Sequence, residues 1–144
     1  MSVAVGLVGA GVMGSEHARI LREDTPGATL AGVCDADPRR AAMAACGSPV
    51  YSDPLEMIRS NNIDAVLIAS PDATHAELVM ACLEAGKPVL CEKPLAATAQ
   101  QALAIVELEM SKARRLVQVG YMRRFDLAYQ LLKESFDSGE IGKP

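Results

Sequence analysis

Three glycines and an aspartate carry the first chemical signal in this sequence. Gly9-x-Gly11-x-x-Gly14 breaks an apolar run, Val3 to Val8, and a helical pattern starts at once. Strand, glycine turn and helix in that order suit a dinucleotide pyrophosphate. Gly9 permits the tight turn, Gly11 has no β-carbon to block phosphates, and Gly14 lets the helix sit close to the strand. The helix start, with Val12 and Met13, adds unpaired N–H groups and a positive dipole end. The Met13 side chain itself is expected in the core. Asp35 ends the next apolar run, Leu30 to Cys34, and follows Gly14 by about the 20 residues that a ribose-binding carboxylate requires. A carboxylate there accepts from both adenosine ribose hydroxyls and repels a 2′-phosphate, favouring NAD over NADP. Arg39 and Arg40 bear on that choice, since an arginine beside Asp35 can receive the phosphate. Their place inside a predicted helix reads as its solvated face.

Further candidates follow later apolar runs. Ser70-Pro71 leaves the run Ala65 to Ala69, and His75 opens the next helix, where it can touch the nicotinamide ribose or merely pack. Glu92-Lys93-Pro94 follows Val89-Leu90-Cys91. The proline biases Lys93 toward an extended backbone. A lysine fixed there can orient a hydroxyl or carbonyl, stabilise an alkoxide or join a proton relay. The alternative is a surface lysine paired with Glu92, and Glu92 has an equal claim to a structural role. Tyr121-Met122-Arg123-Arg124 follows Leu116 to Val119; its arginines can meet a polar substrate or coenzyme, or bridge to the last helix. Cys91 has no evident histidine base and reads as core, and His17 reads as a packed helix residue.

These groups need elements that bring them together. Apolar runs alternate with helical segments along the whole chain, which predicts an α/β, doubly wound parallel sheet of about six strands with helices on both faces, a Rossmann fold. In such a sheet every cluster named above falls at the carboxyl ends of the strands, along one edge. Asp37-Pro38 and Asp53-Pro54 open helices as N-cap plus proline, with Glu56 completing a capping-box-like pattern. Thr74 with Glu77 and Thr98 with Gln101 predict two further capping boxes. A last amphipathic helix is expected from Asp126 to about Ser138, stopped by Gly139.

The composition narrows the function classes. The 144 residues fit one domain, 50% hydrophobic and 22% charged, with a net charge of −4. The sequence pI near 5.2 argues against a nucleic-acid or anionic-membrane surface. No apolar stretch approaches the roughly 18 residues of a spanning helix, and the immediate entry into a strand leaves no room for a signal peptide, so a cytoplasmic location is expected. The four cysteines form no CxxC pair, which suits a reducing compartment. With two histidines far apart, no metal site is expected.

At these residues the sequence resembles the N-terminal NAD-binding domain of the Gfo/Idh/MocA oxidoreductases. The matching pieces are Gly9 to Gly14, Asp35, Ser70-Pro71 with His75, and Ala85-Gly86-Lys87-Pro88-Val89-Leu90-Cys91-Glu92-Lys93-Pro94. Within the family, Gln118 to Asp126 and Asp137 to Pro144 look most like the inositol 2-dehydrogenase branch. The resemblance implies that Lys93 is the active-site lysine bonded to the reacting carbinol. It also implies that Met122 and Arg123 line the junction of coenzyme and polyol, with hydride passing to C4 of NAD. The coenzyme contacts it implies are Gly9, Gly11, Val12, Met13, Gly14, Asp35, Ser70, Pro71, His75, Glu92 and Lys93. Residues 1–144 then form the dinucleotide-binding domain, and 121–144 lead toward a substrate domain. That second domain would carry the Asp and His partners of Lys93 and the contacts of a homo-oligomer, so this chain alone is expected to turn over little. The competing expectation is a non-catalytic, NAD-sensing module of the same fold.

Overall fold

The computed structural model describes residues 2–142; Met1, Lys143 and Pro144 lie outside the described residues, and with them the last two residues of the ending noted above. The elements run β1 (Val3–Val8), α1 (Val12–Glu23), β2 (Ala28–Cys34), α2 (Pro38–Ala45), β3 (Val50–Tyr51), α3 (Pro54–Arg59), β4 (Ala65–Ile68), α4 (His75–Glu84), β5 (Val89–Cys91), α5 (Ala99–Met110), β6 (Val117–Val119) and α6 (Leu127–Asp137). Every strand pairing is parallel, in the order β3-β2-β1-β4-β5-β6. This is the doubly wound order expected from the sequence: the chain winds out from β1 to β3, crosses back, and winds out again from β4 to β6. The direction of winding reverses between β1 and β4, where a crevice opens above the strand ends.

Alternation along the strands divides the core between the two sheet faces. Val66 and Ile68 join Leu78, Val79, Cys82, Leu83, Met57 and Ile58 on the face covered by α3 and α4. Val5, Leu7 and Leu67 meet Ala18, Ala41, Ala44 and Ala45 of α1 and α2 on the other. That second layer is built largely from alanine, so its helices lie close to the sheet. Gly14 shows how close: a β-carbon there would stand 1.9 Å from the Gly9 carbonyl oxygen. This approach turns α1 so that Gly14 and Ala18 face the sheet. Met13, expected in the core, is instead 48% exposed.

Local signals account for most helix starts. Asp37 accepts from the Arg39 amide and Asp53 from the Leu55 amide, each ahead of a proline at the first helical position. Thr98 and Gln101 form the expected reciprocal capping box. Thr74 does not. Asp72–Thr74 form a single 3₁₀ turn before α4, and the Thr74 hydroxyl donates to the Pro71 carbonyl at 2.7 Å, which removes it as a cap. At α3, Glu56 lies in the first turn while Asp53 caps alone. The final helix, α6, buries none of its residues, and Leu127, Leu131, Leu132 and Phe136 stay exposed.

Candidate functional site

The strand ends are pinned one residue past the sheet. Gly9 N donates to Cys34 O at 2.8 Å, Ala69 N to Val8 O at 2.8 Å, Glu92 N to Ile68 O at 2.9 Å and Gly120 N to Cys91 O at 2.8 Å. The residues that leave β1, β4, β5 and β6 therefore share one rigid rim, and Asp35 joins it directly after β2.

The glycine turn is shaped for an anion. Gly9 has φ +90° and backs onto Ala69 and Ser70, with 2.5 Å from its missing β-carbon to Ser70 N. Only glycine adopts that conformation at that distance without strain. Gly11 has no atom within 4 Å of its own β-carbon position. It has ordinary backbone angles, φ −70° and ψ −163°, so the open space, not the conformation, is what a larger residue would change. No side chain caps α1 and its first turn carries no acid. The N–H groups of Val12, Met13 and Gly14 are consequently free of intrahelical partners, and the Val12 side chain is 91% exposed. A diphosphate fits this cradle by space, hydrogen bonding and helix dipole together.

Asp35 lies beside it with its side chain only 7% exposed. Its Oδ2 accepts from Ala10 N at 2.6 Å and its Oδ1 from Asp37 N at 2.8 Å. Arg40 adds Nη2 at 3.0 Å and Nε at 3.2 Å to Oδ1. Burial pushes the Asp35 carboxyl up, but these backbone and arginine donors outweigh it and hold it below the usual carboxylate range. Arg40, read from the sequence as part of a solvated face, thus belongs to the site. Helix α2 starts so soon after Asp35 that its first turn brings residue 40 back over the carboxylate. Asp35 and Arg40 line a cleft of about 420 Å³ with Gly9, Ser70 and Pro71. Ser70 Oγ donates to Thr74 Oγ1 at 2.6 Å, which the Thr74–Pro71 bond leaves as an acceptor.

His75 sits beneath this cleft rather than on its wall. It is 1% exposed, with Nδ1 2.6 Å from Pro94 O and Nε2 2.9 Å from Ser70 O. Its ring links the segments that follow β4 and β5. Lys93 is exposed and lines a second cleft of about 280 Å³ with Gly120, Tyr121, Met122 and Arg123. The structure thereby brings together the lysine and the two residues expected at the substrate. Arg123 also bridges to Asp126 at 2.7 Å and lies 5.0 Å above the Tyr129 ring, so it meets the last helix while facing the cleft. Cys91 is fully buried and its thiol is pushed up to about 12 by burial, which removes it as a nucleophile.

Sequence reasoning missed His17 as a member of the site. Its Nε2 is 2.9 Å from Glu92 Oε1 across 75 residues, and Glu92 Oε2 accepts from Lys93 N at 3.4 Å. One signal was present: position 17 falls one turn after Gly14, on the face of α1 that meets the strand ends.

Residues 3–121 match the Gfo/Idh/MocA oxidoreductase family, described as an NAD-binding Rossmann fold. The chain belongs to that family. Among its curated relatives, inositol 2-dehydrogenase 1 of Saccharopolyspora erythraea is 53% identical over 100% of this chain and 44% of the relative. Inositol 2-dehydrogenase of Rubrobacter xylanophilus is 51% identical over 99% of this chain and 42% of the relative. A solved structure, myo-inositol dehydrogenase from Lactobacillus casei in complex with NAD(H) and myo-inositol, superposes with a TM-score of 0.95. It is 37% identical, and the match covers all of this chain and 44% of that one. The chain thus spans less than half the length of these relatives. Among the described residues no helix is long and apolar enough to cross a membrane, and no three or more His, Cys, Asp or Glu gather to hold a metal ion.

Proposed function

We propose that this Gfo/Idh/MocA domain is the coenzyme half of an NAD-dependent dehydrogenase that oxidises a ring hydroxyl of an inositol-like polyol. The observation that carries the reading is the shared rim: an open glycine turn with uncapped helix amides and the Asp35 carboxylate at one end, and Lys93, Met122 and Arg123 around a second cleft at the other. Nicotinamide, when bound, supplies the hydride acceptor. Gly9, Gly11, Gly14 and the first-turn amides of Val12 and Met13 hold the diphosphate, and Asp35 accepts from the adenosine ribose. Ser70 and Pro71 border the coenzyme path, while His75 and Glu92 support it by fixing the segments on which it rests. Lys93 would bond the carbinol oxygen and stabilise the negative charge that develops there as the hydroxyl proton leaves through a relay that includes this lysine, ahead of the C–H cleavage that turns the alkoxide into a carbonyl. Met122 and Arg123 orient the polyol.

The negative charge of Asp35 supports NAD over NADP, and Arg40 weakens the preference by sitting on the same oxygen. The four free cysteines suit a cytoplasmic location, and the family resemblance adds a homo-oligomer for the full-length protein. NADH fluorescence tests coenzyme binding by this chain, and NAD reduction with inositol and other polyols tests the full-length protein. Lys93→Ala is expected to leave NADH affinity within about threefold while lowering turnover by roughly 10²–10⁴-fold, the scale of a lost acid–base group. Full-length protein that binds NADH yet reduces no NAD with any polyol would favour a coenzyme sensor. Undiminished turnover in the Lys93 variant would remove the lysine from the mechanism.

A further inference from the structure

We infer that His17 is a positioning residue for Lys93, acting through Glu92; the inference rests on the dehydrogenase reading above. The Glu92 carboxylate has little freedom. Its backbone is tied to β4 through Ile68 O, and a β-carbon on Gly120 would stand 3.3 Å from the carboxyl carbon and one of its oxygens. In that slot Oε1 meets His17 Nε2 at 2.9 Å and Oε2 accepts the Lys93 amide at 3.4 Å. One carboxylate therefore spans from the diphosphate helix α1 to the backbone of the lysine. The histidine and glutamate side chains are only 23% and 15% exposed.

Burying such a pair is a poor way to gain stability, because an apolar pair of similar volume packs a helix on a strand end as well or better. The polar pair is explained by what it orients. From the other side of Lys93, His75 Nδ1 meets Pro94 O at 2.6 Å. The chain has two histidines, and each grips a neighbour of the same lysine. Without His17 the Glu92 carboxylate loses its outer anchor and the Lys93 backbone one of its restraints. A misplacement of about 1 Å at a reacting group costs on the order of 10²-fold.

The test compares His17→Leu, His17→Gln and Glu92→Gln, with Lys93→Ala as reference, in the full-length protein. Leucine removes the ring nitrogen, whereas glutamine keeps a donor near the same place. His17→Leu is expected to lower kcat roughly 10–100-fold, with KM for NAD and NADH affinity within about threefold, and His17→Gln to recover most of the loss. Glu92→Gln gives an independent reading should the leucine variant fold poorly, and is expected to lower kcat in the same way. In ¹H–¹⁵N spectra of the same proteins, the Lys93 amide should move in His17→Leu and Glu92→Gln and return toward its native position in His17→Gln. Unchanged kcat in both His17→Leu and Glu92→Gln, an unmoved Lys93 amide, or equal loss of NADH affinity and kcat would overturn the inference while the dehydrogenase reading stands. Full turnover in Lys93→Ala would overturn both.

Discussion

Gly11 and Gly14 lie three residues apart in one motif, yet the structure assigns them separable jobs, and alanine at each tests that separation. At Gly14 the new β-carbon would stand 1.9 Å from Gly9 O, against the 3.0 Å that real β-carbons respect. Helix α1 must then move by about 1 Å, an overpacking that costs ~3 kcal/mol, the upper end of the usual range. For a domain of this size that lowers Tm by roughly 9–15 °C. At Gly11 nothing lies within 4 Å and the backbone angles suit alanine. The entropic gain of Gly→Ala and the weaker helix start nearly cancel, leaving stability within about 1 kcal/mol. The added methyl does enter the open space proposed for the diphosphate. Displacing that anion from the first-turn amides forfeits about 1.5–3 kcal/mol of charge-assisted hydrogen bonding, or roughly 10–150-fold in affinity. Calorimetry or thermal denaturation with NADH titration reads both quantities on each variant. Gly11→Ala that binds NADH normally, or that melts as early as Gly14→Ala, would refute the placement of the diphosphate.

Asp35→Ser removes the nearer of the two carboxylates that face Arg40 and leaves it only Asp37 at 3.9 Å, so the ratio of NADPH to NADH affinity should rise at least tenfold, the scale of one charge-assisted contact; Arg40→Ala in that background should reverse the gain, and an unchanged ratio would show that Arg40 does not read the 2′ position. Because the folded Asp35 carboxyl is held below its unfolded value, its contribution to stability is fully present above about pH 3.9 and is lost as pH falls through the folded value. Acid denaturation of Asp35→Asn should accordingly lack that component, which a matched pair of pH–stability curves will show. Cys91, buried with its thiol pushed up to about 12, should resist alkylation in the folded protein at pH 8 while exposed Cys46 reacts; mass spectrometry that finds Cys91 labelled first would contradict the packing.

The legible part of this site was local. Glycine spacing, an acid at a strand end and proline after Asp37 or Asp53 each announce themselves within a few residues, and the parallel sheet follows from the alternation of elements. What escaped was set by distance or competition. His17 and Glu92 are separated by 75 residues, and no spacing rule foretells their contact. Arg40 resembled a solvated helix residue because its partner precedes the helix. Thr74 fits a capping pattern, but a nearer carbonyl captures its hydroxyl, so the chain turns through 3₁₀ geometry instead. Met13 faces outward because the demand for Gly14 at the sheet fixes how α1 is rotated.

The strand order β2-β1-β4-β5 also acts as a ruler. Neighbouring strands are spaced by about 4.8 Å, so three steps separate the strand that delivers Asp35 from the one that delivers Lys93 by roughly 14 Å. Only a long, two-headed molecule can engage both at once. A mononucleotide such as AMP can compete for the acidic end, yet it must leave the lysine end undisturbed.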